Sequence, residues 1–240
     1  MRLSKRLEEL VSFVREGGRV ADIGTDHGYI PIALVEEKKA VSAIAMDVRK
    51  GPLERAKEHI VEHGLQEKIE LRLSDGAKEL REGEADTVVI AGMGGELIIR
   101  IMREGRHMWE SVSQWVLSPQ SEIPAVRRFL AEQGFQIERE TLIKDEGKFY
   151  TIMSVLFQSD TQKPKTHTEA YTVEELYGAC LLREKNSVLL EFLEKERESK
   201  QKILEGISEQ TGTAALQRRR ELELELEKNQ EALAYWHPVS

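Results

Sequence analysis

Residues 20–31 read VADIGTDHGYIP, the layout of a buried strand that ends in a glycine turn and leads into a helix. In α/β folds this turn lies at the carboxyl end of the first strand, where nucleotide-like ligands bind. The glycines are spaced as Gly24 and Gly28, which differs from the GxGxxG pattern of pyrophosphate binders. The stretch therefore predicts a parallel α/β sheet with a ligand site at its edge. The alternative is a strand–turn–helix without any ligand.

Acidic side chains in and after this stretch restrict the chemistry of the ligand. Asp22 and Asp26 would repel a pyrophosphate, but they suit a cofactor with a cationic end. S-adenosylmethionine, with its ammonium and sulfonium groups, is such a cofactor. Asp47 stands where the second strand would end, and its carboxylate can accept hydrogen bonds from ribose hydroxyls.

Strand-like runs and helical stripes alternate along the first two thirds of the chain, which predicts a parallel sheet. The last two strands are joined by a short turn and should be antiparallel to each other. Seven strands with a terminal hairpin are the architecture of Rossmann-like methyltransferases, although periodicity alone gives only a doubly wound α/β fold. The predicted strands cover residues 19–23, 41–46, 68–73, 87–91, 114–118, 135–143 and 149–157. The predicted helices cover residues 3–14, 28–38, 51–64, 77–81, 96–104 and 123–133.

The composition changes after a polar stretch at residues 159–168, which predicts a linker. Beyond it, leucines recur at helical spacing among many charges, so we expect two helices in an antiparallel, coiled-coil-like hairpin. The predicted domains are 1–158, which would bind the cofactor, and 169–240, the helical hairpin. The hairpin would either stabilise or dimerise the protein, or position a substrate. Leucines at 222, 224 and 226 alternate with period two, so either they make an additional apolar contact or the chain is locally not helical.

Bulk properties exclude several classes of protein. No apolar run approaches the ~20 residues of a membrane span, and the charged start of the chain does not match a signal peptide. The single cysteine, Cys180, cannot form an internal disulfide, which fits a reducing compartment and predicts a cytoplasmic location. No metal-ligand spacing is present, so no metal is expected.

The net charge of −8 argues mildly against a general nucleic-acid binder, but local basic patches can still bind phosphates. Each such patch could equally be a solvated helix face. The candidates are Arg2, Lys5, Arg6, Arg15 and Arg19, then Arg100, Arg103, Arg106 and His107, then Arg127 and Arg128.

Four predicted strand ends carry residues that would meet at one edge of a parallel sheet and so converge on one ligand. Asp47 would hold the ribose, and Asp75 would accept a hydrogen bond from the adenine amino group, with Gly76 letting the backbone come close. The fourth end, residues 91–95, reads AGMGG where amino-group methyltransferases usually have a polar residue and prolines. Its glycines would let a base edge lie close to the backbone. The alternative is a plain turn before a helix.

Three residues of the first turn lie beside the expected methyl donor. Asp26 could accept a hydrogen bond from a substrate amino group, or bind the ammonium of the cofactor. His27 could accept or donate a proton, although a single loop histidine is often structural. Tyr29 could stack on a base taken out of its helix, or pack under the cofactor.

With these residues in view, the chain resembles the bacterial TrmK family of S-adenosylmethionine-dependent tRNA methyltransferases. The resemblance covers most of residues 1–157, and its pieces Thr-Asp-His-Gly and Gly-Met-Gly-Gly are distinctive. The resembling segments are Asp22–Tyr29, Ala45–Val48, Gly51–Leu53, Ser74–Gly76, Ala91–Gly95, Ser118–Gln120 and Lys148–Tyr150.

The resemblance implies methylation of N1 of the adenosine at position 22 of tRNA, on a Rossmann-like class I methyltransferase fold with a C-terminal helical hairpin. It implies a catalytic set of Asp26, His27 and Tyr29. The cofactor-binding set that it implies is Asp22, Ile23, Gly24, Gly28, Asp47, Val48, Asp75, Gly76, Ala91, Gly92 and Met93. The expected partner is tRNA, with no membrane and no metal, and a monomer is slightly favoured over a dimer. The alternatives are a methyltransferase of the same fold acting on a small molecule or a protein, and a non-catalytic cofactor-binding protein.

Overall fold

A computed structural model describes residues 3–158, 170–208 and 212–236, and the chain divides into two compact units, Met1–His167 and Thr168–Ser240. The strands of the first unit are β1 (Gly18–Ile23), β2 (Ala40–Asp47), β3 (Ile69–Leu73), β4 (Thr87–Met93), β5 (Gln114–Pro119), β6 (Phe135–Asp145) and β7 (Lys148–Phe157). Its helices are α1 (Lys5–Phe13), α2 (Tyr29–Glu36), α3 (Lys50–Glu62), α4 (Gly95–Glu104) and α5 (Ile123–Glu132), with a short 3₁₀ segment at Arg106–Met108.

The seven strands form one sheet in the order β3-β2-β1-β4-β5-β7-β6. Strands β1 to β5 are parallel to one another, whereas β7 is antiparallel to both β5 and β6. The predicted α/β sheet with a terminal antiparallel hairpin is confirmed. The chain order reverses its direction between β1 and β4, which is the position where ligands bind in open α/β sheets.

Helices cover both faces of the sheet, because the parallel strands alternate apolar side chains toward two separate cores. On one face, Val88 and Ile90 of β4 pack with residues of α4 and α5 such as Ile98 and Phe129. On the other face, Val89 packs with residues of α1, α2 and α3. Both cores are close-packed and buried, so the carboxyl edge of the sheet stands on a rigid base.

The predicted helix at residues 77–81 is wrong, because the chain there forms turns. The Ser74 hydroxyl donates to the carbonyl of Gly76 (2.8 Å) and accepts from the backbone N–H of Glu79 (3.2 Å). A side chain that bonds the nearby backbone in this way competes with the helical hydrogen-bond pattern. The segment therefore holds Asp75 and Gly76 at the edge of the sheet in a turn.

In the described part of the second unit the chain forms α6 (Val173–Tyr177), α7 (Ala179–Arg183), α8 (Ser187–Gly206) and α9 (Thr213–Leu233). The expectation of two helices is wrong for the first half of this unit, where two short helices, α6 and α7, precede α8. Gly178, with a φ of +92°, separates α6 from α7, and the Asn186 side chain caps α8 by accepting from Val188 and Leu189.

Helices α8 and α9 run antiparallel, since the Asn229 amide donates to the carbonyl of Leu193 and Lys200 pairs with Glu225. The three alternating leucines all lie in α9, which stays helical throughout. Leu222 is buried and Leu224 is 62% exposed, so the alternation needs no additional contact. No helix in the described ranges is both long and apolar enough to cross a membrane.

Candidate active site

A cavity of about 390 Å³ opens at the carboxyl edge, between the ends of β1, β2, β3 and β4. All the predicted cofactor-binding residues except Asp22 and Gly28 line this cavity. Its lining is Ile23, Gly24, Asp26, Asp47, Val48, Arg49, Pro52, Ser74, Asp75, Gly76, Ala91, Gly92, Met93, Leu97, Arg100 and Ile101. The four predicted strand ends therefore converge on one space, whose size is typical of a small-molecule site.

Two carboxylates in this first cavity are held in fixed positions. Asp47 is buried, and one of its oxygens accepts from the backbone N–H of Arg49 at 2.8 Å. Asp75 accepts from Lys78 Nζ at 2.5 Å and from Arg100 Nη2 at 3.2 Å. These contacts lower the pKa of Asp75, and the hydrogen bond from Lys78 contributes most. Both groups are thus placed as acceptors, which suits ribose hydroxyls and an adenine amino group.

Apolar side chains and glycines complete the shape of the first cavity. Val48 and Leu97 remain exposed on its wall (59% and 38%), where they can cover the faces of an adenine ring. Gly24 has a φ of +83°, and a Cβ there would lie 2.0 Å from the Met93 Cε atom. At Gly76 a Cβ would lie 2.9 Å from the Ile101 Cγ1 atom. The two glycines, the two carboxylates and the apolar walls of this cavity together fit S-adenosylmethionine.

Replacing Gly24 by alanine should weaken cofactor binding at least tenfold, because the new Cβ forces the Met93 side chain to move within the cavity. Gly83→Ala is the matched control. Gly83 has a similar φ of +75°, so alanine there meets the same backbone strain of ~1–2 kcal/mol, but a Cβ meets no atom within 4 Å. Titration of both variants with cofactor separates the two effects. Equal cofactor affinities of the two variants would exclude Gly24 from the cofactor site.

A second cavity of about 360 Å³ lies beside the first. It is lined by Arg6, Leu7, Asp22, Gly24, Asp26, Tyr29, Ile30, Ala91, Gly92 and Gln120. Gly24, Asp26, Ala91 and Gly92 line both cavities, so these residues form a shared wall. Two adjacent spaces with a common wall can hold a donor and an acceptor with their reacting atoms close together.

Asp22 lies on the second cavity, beside the shared wall. Its side chain is buried, and the pKa of its carboxyl is raised to about 7. Burial is the main cause; the Thr25 hydroxyl opposes it in part, and the charge of Asp47 adds to it. Without a cationic neighbour this carboxyl is therefore half protonated near neutral pH, and a positive charge nearby would favour its ionised form.

The structure brings the three predicted catalytic residues together beside the second cavity. Asp26 accepts from Arg55 Nη2 at 3.1 Å and lies 3.4 Å from the Nε2 atom of His27. Tyr29 lines the second cavity, and its ring is nearly parallel to those of His27 and His59, at 5.3 and 5.4 Å between centroids. His59 Nδ1 also lies 2.8 Å from the carbonyl oxygen of His27.

This arrangement includes residues that sequence reasoning missed. Arg55 and His59 lie one turn apart on α3, a spacing that could have flagged them as neighbours on one helix face. His27 adopts a φ of +61°, which is uncommon for a residue other than glycine. Functional sites often contain such backbone, and here it places the His27 ring between Asp26 and Tyr29.

One basic candidate is not available to bind phosphates, and two others are engaged in surface ion pairs. Arg127 is buried and forms an ion pair with Glu140, with 2.8 Å between nitrogen and oxygen. The buried Glu140 carboxylate needs Arg127 as its partner, because a buried charge without a partner destabilises the fold. Arg15 pairs with Glu138, and Arg19 pairs with Asp86 at the opposite, amino-terminal edge of the sheet. The expectation for Arg127 is corrected, whereas Arg15 and Arg19 are half exposed and stay candidates; Arg2 lies outside the described residues.

Other basic side chains are exposed closer to the site. Arg100 lines the first cavity, and Arg103 and Arg106 follow it along α4 and the 3₁₀ segment. The Arg6 guanidinium lies over the Tyr150 ring at 5.2 Å and lines the second cavity. His107 is exposed, but its Nε2 atom is engaged by the carbonyl of Leu80 at 3.0 Å. In the described ranges no cluster of His, Cys, Asp or Glu could hold a metal ion.

Comparison with known proteins agrees with this geometry. Residues 3–153 match the family model described as a methyltransferase domain. The tRNA (adenine(22)-N(1))-methyltransferase of Bacillus subtilis (strain 168) is 32% identical over 213 residues, which are 89% of each chain. The crystal structure of the B. subtilis m1A22 tRNA methyltransferase TrmK has a TM-score of 0.83 and 30% identity, covering 97% of this chain and 99% of that one.

Two related structures contain the cofactor or its product. Streptococcus pneumoniae Sp1610 in complex with S-adenosyl-L-methionine has a TM-score of 0.82 and 33% identity, covering 97% of this chain and 100% of that one. M. capricolum TrmK with S-adenosyl-homocysteine has a TM-score of 0.80 and 25% identity, covering 98% and 99%. The two adjoining cavities, the methyltransferase domain and the match over nearly the whole chain lead to one conclusion: the chain belongs to the TrmK family of S-adenosylmethionine-dependent tRNA (adenine(22)-N1)-methyltransferases.

Proposed function

We propose that this protein methylates N1 of the adenosine at position 22 of tRNA, with S-adenosylmethionine as the methyl donor. The observation that carries the proposal is the pair of cavities with a shared wall: one fits the cofactor, and the other is lined by two carboxylates, the Tyr29 ring and the Arg6 guanidinium. The B. subtilis relative, similar over 89% of both chains, bears the name of this activity.

The first cavity would hold the cofactor through the residues already described. Asp47 would bind the ribose hydroxyls and Asp75 the adenine amino group, while Val48 and Leu97 would cover the ring. A side chain at Gly24 or Gly76 would press on Met93 or Ile101, which line the same cavity. When bound, S-adenosylmethionine supplies an electrophilic methyl group that adenine N1 can accept.

The second cavity would receive the target base after it leaves its stack, as bases do in enzymes that modify them. Adenine N1 already carries an in-plane lone pair, so the protein needs no strong base. Tyr29 would stack on the ring, held in place by the neighbouring rings of His27 and His59. The contribution of the enzyme is then mainly alignment, which can lower a barrier by several kcal/mol.

The protein must also compensate the positive charge that develops on the methylated adenine. Asp26, on the shared wall, is our first choice for this role and His27 is the second. Asp26 is 66% exposed in the free protein, so its charge would act most strongly once the bound tRNA excludes water from it. Asp22, on the same cavity, would add to the negative potential once it is ionised.

An acidic chain needs a local basic surface to bind tRNA. We propose that Arg100, Arg103 and Arg106 form one part of this surface, with Lys5 and Arg6 as the other, and that the helices of the second unit grip the outer part of the tRNA. We also propose that the protein acts in the cytoplasm, where tRNA is modified, and as a monomer.

Removing residues 160–240 should leave cofactor affinity unchanged and weaken tRNA binding at least tenfold. The expectation rests on the division of the chain into two compact units, of which the first holds both cavities. Electrophoretic mobility shifts with an unmodified tRNA transcript and cofactor titration would measure the two affinities. Unchanged tRNA affinity would favour a purely stabilising role for the second unit.

The chemical identity of the product tests the proposed function. Incubation with labelled S-adenosylmethionine and an unmodified tRNA transcript should yield N1-methyladenosine after digestion to nucleosides. A protein that binds the cofactor but transfers no label to tRNA would contradict the proposal and direct the search to another acceptor.

A further inference from the structure

We propose that Gln120 is a specificity-determining residue, whose side-chain amide donates a hydrogen bond to N3 of the target adenine. The inference rests on the proposed function and concerns how the second cavity reads the base. It adds a residue that sequence reasoning placed only in a resembling segment, without any role.

The second cavity has acidic groups on one side and Gln120, together with the Arg6 guanidinium, on the other; Arg6 Nη1 lies 3.8 Å from the point where a Cβ on Gly92 would be. Asp22 and Asp26 lie at and after the end of β1, whereas Gln120 directly follows β5. Strand β4 lies between them in the sheet, so two strand spacings, about 10 Å in all, separate β1 from β5. A base in this cavity would therefore have carboxylates along one edge and a carboxamide along another.

The position of Gln120 is fixed by its backbone, while its side chain is available. Its N–H donates to the carbonyl of Met93 at 2.8 Å, at the end of the neighbouring strand. The Nε2 atom lies 3.9 Å from the point where a Cβ on Gly92 would be, so the amide reaches the shared wall. Within the described part of the chain, the carboxamide of Gln120 makes no hydrogen bond.

Two requirements set the orientation of the adenine. Its N1 must face the shared wall at Gly24 and Gly92, because the cofactor cavity lies beyond that wall. Its amino group, next to N1 on the ring, is a donor and should face the carboxylates of Asp22 and Asp26. The C2–N3 side of the ring then faces Gln120. N3 is an acceptor with no proton, and the amide Nε2 is a donor.

The same polarity disfavours guanine. In the same orientation, guanine would place its O6 acceptor against Asp22 and Asp26, where like partial charges repel. Its N1 also carries a proton, so no lone pair faces the wall. The cavity therefore combines an attractive contact at N3 with a repulsive one at position 6, and specificity commonly uses both.

Site-specific purine analogues test the contact. The wild-type protein, Gln120→Ala and Gln120→Glu would be assayed with tRNA carrying adenosine, 3-deazaadenosine or 7-deazaadenosine at position 22. The control is Gln66→Ala, a change of an exposed glutamine before β3. The readout is the ratio of kcat/KM for adenosine to that for each analogue, which cancels intrinsic differences in reactivity among variants. Cofactor affinity verifies that each variant is folded.

For 3-deazaadenosine, the ratio should be about tenfold larger in the wild type and Gln66→Ala than in Gln120→Ala, as for the loss of one hydrogen bond. Gln120→Glu, which keeps the size but cannot donate, should match Gln120→Ala. Equal ratios in all four proteins would overturn the contact, and coupling to 7-deazaadenosine alone would overturn the orientation. A wild-type protein inactive on adenosine 22 would instead overturn the proposed function, and this inference with it.

Discussion

Replacing Asp22 by asparagine is expected to stabilise the free protein at pH 8 and to abolish methyl transfer. The Asp22 carboxyl is buried, and its pKa is raised from 3.8 to about 7. Between about pH 4 and pH 7 the folded state thus holds a proton that the unfolded state has lost, so the free energy of unfolding falls as the pH rises. At one pKa unit per ~1.4 kcal/mol, the cost above pH 7 is roughly 4 kcal/mol. Asparagine avoids that cost, but it cannot supply a negative charge.

Chemical denaturation at pH 5 and pH 8 measures this effect. The gain in unfolding free energy of Asp22→Asn over the wild type should be several kcal/mol at pH 8 and much smaller at pH 5. Asp86→Asn is a control of opposite sign, because the bond to Arg19 lowers the pKa of Asp86 and its loss should destabilise the protein at pH 8. A gain for Asp22→Asn that is equal at both pH values would contradict the account. Residues that destabilise the fold but serve its activity are common at functional sites.

Replacing Asp26 by asparagine is expected to lower turnover about 100-fold while changing cofactor affinity less than threefold. The variant keeps the shape of the side chain but removes the charge beside the shared wall, and losses of this size follow when one electrostatic contact to the transition state is removed. The exposed Asp26 carboxylate pairs with Arg55 at 3.1 Å, which holds its position.

Single-turnover methyl transfer and cofactor titration would measure the two quantities separately. Glu36→Gln is the control, since Glu36 is a partly exposed acid paired with His63 at the end of α2. Equal losses of turnover and cofactor affinity in Asp26→Asn would assign Asp26 to cofactor binding alone.

The sheet could be predicted from the sequence because β1, β2 and β4 are short runs rich in apolar residues that end at a glycine or an acid. The β1–α2 turn around Gly24 and the end of β4 at Gly92 were recognisable for this reason, and the structure brings both onto one wall. The spacing of apolar residues in a sequence does not predict that a serine hydroxyl will bond the nearby backbone and so prevent a helix. The helix expected at residues 77–81 is therefore absent, since Ser74 bonds that segment into turns.

Charge patterns were less informative than strand ends. An arginine looks the same in a sequence whether it is exposed or buried, and Arg127 is held in a buried pair with Glu140 from a distant strand. The second cavity also depends on distant parts of the chain, since Arg6 comes from α1 and Gln120 follows β5. Its division into an acidic and an amide side follows only from the strand order.

Methyl transfer to a pair of unmodified tRNA transcripts that differ only at position 22 tests the central claim most directly. The account predicts that label from S-adenosylmethionine enters the transcript with adenosine at this position, as N1-methyladenosine, and does not enter the transcript with guanosine. Equal labelling of both transcripts, or of neither while the cofactor is bound, would contradict the assignment of adenosine 22 as the acceptor.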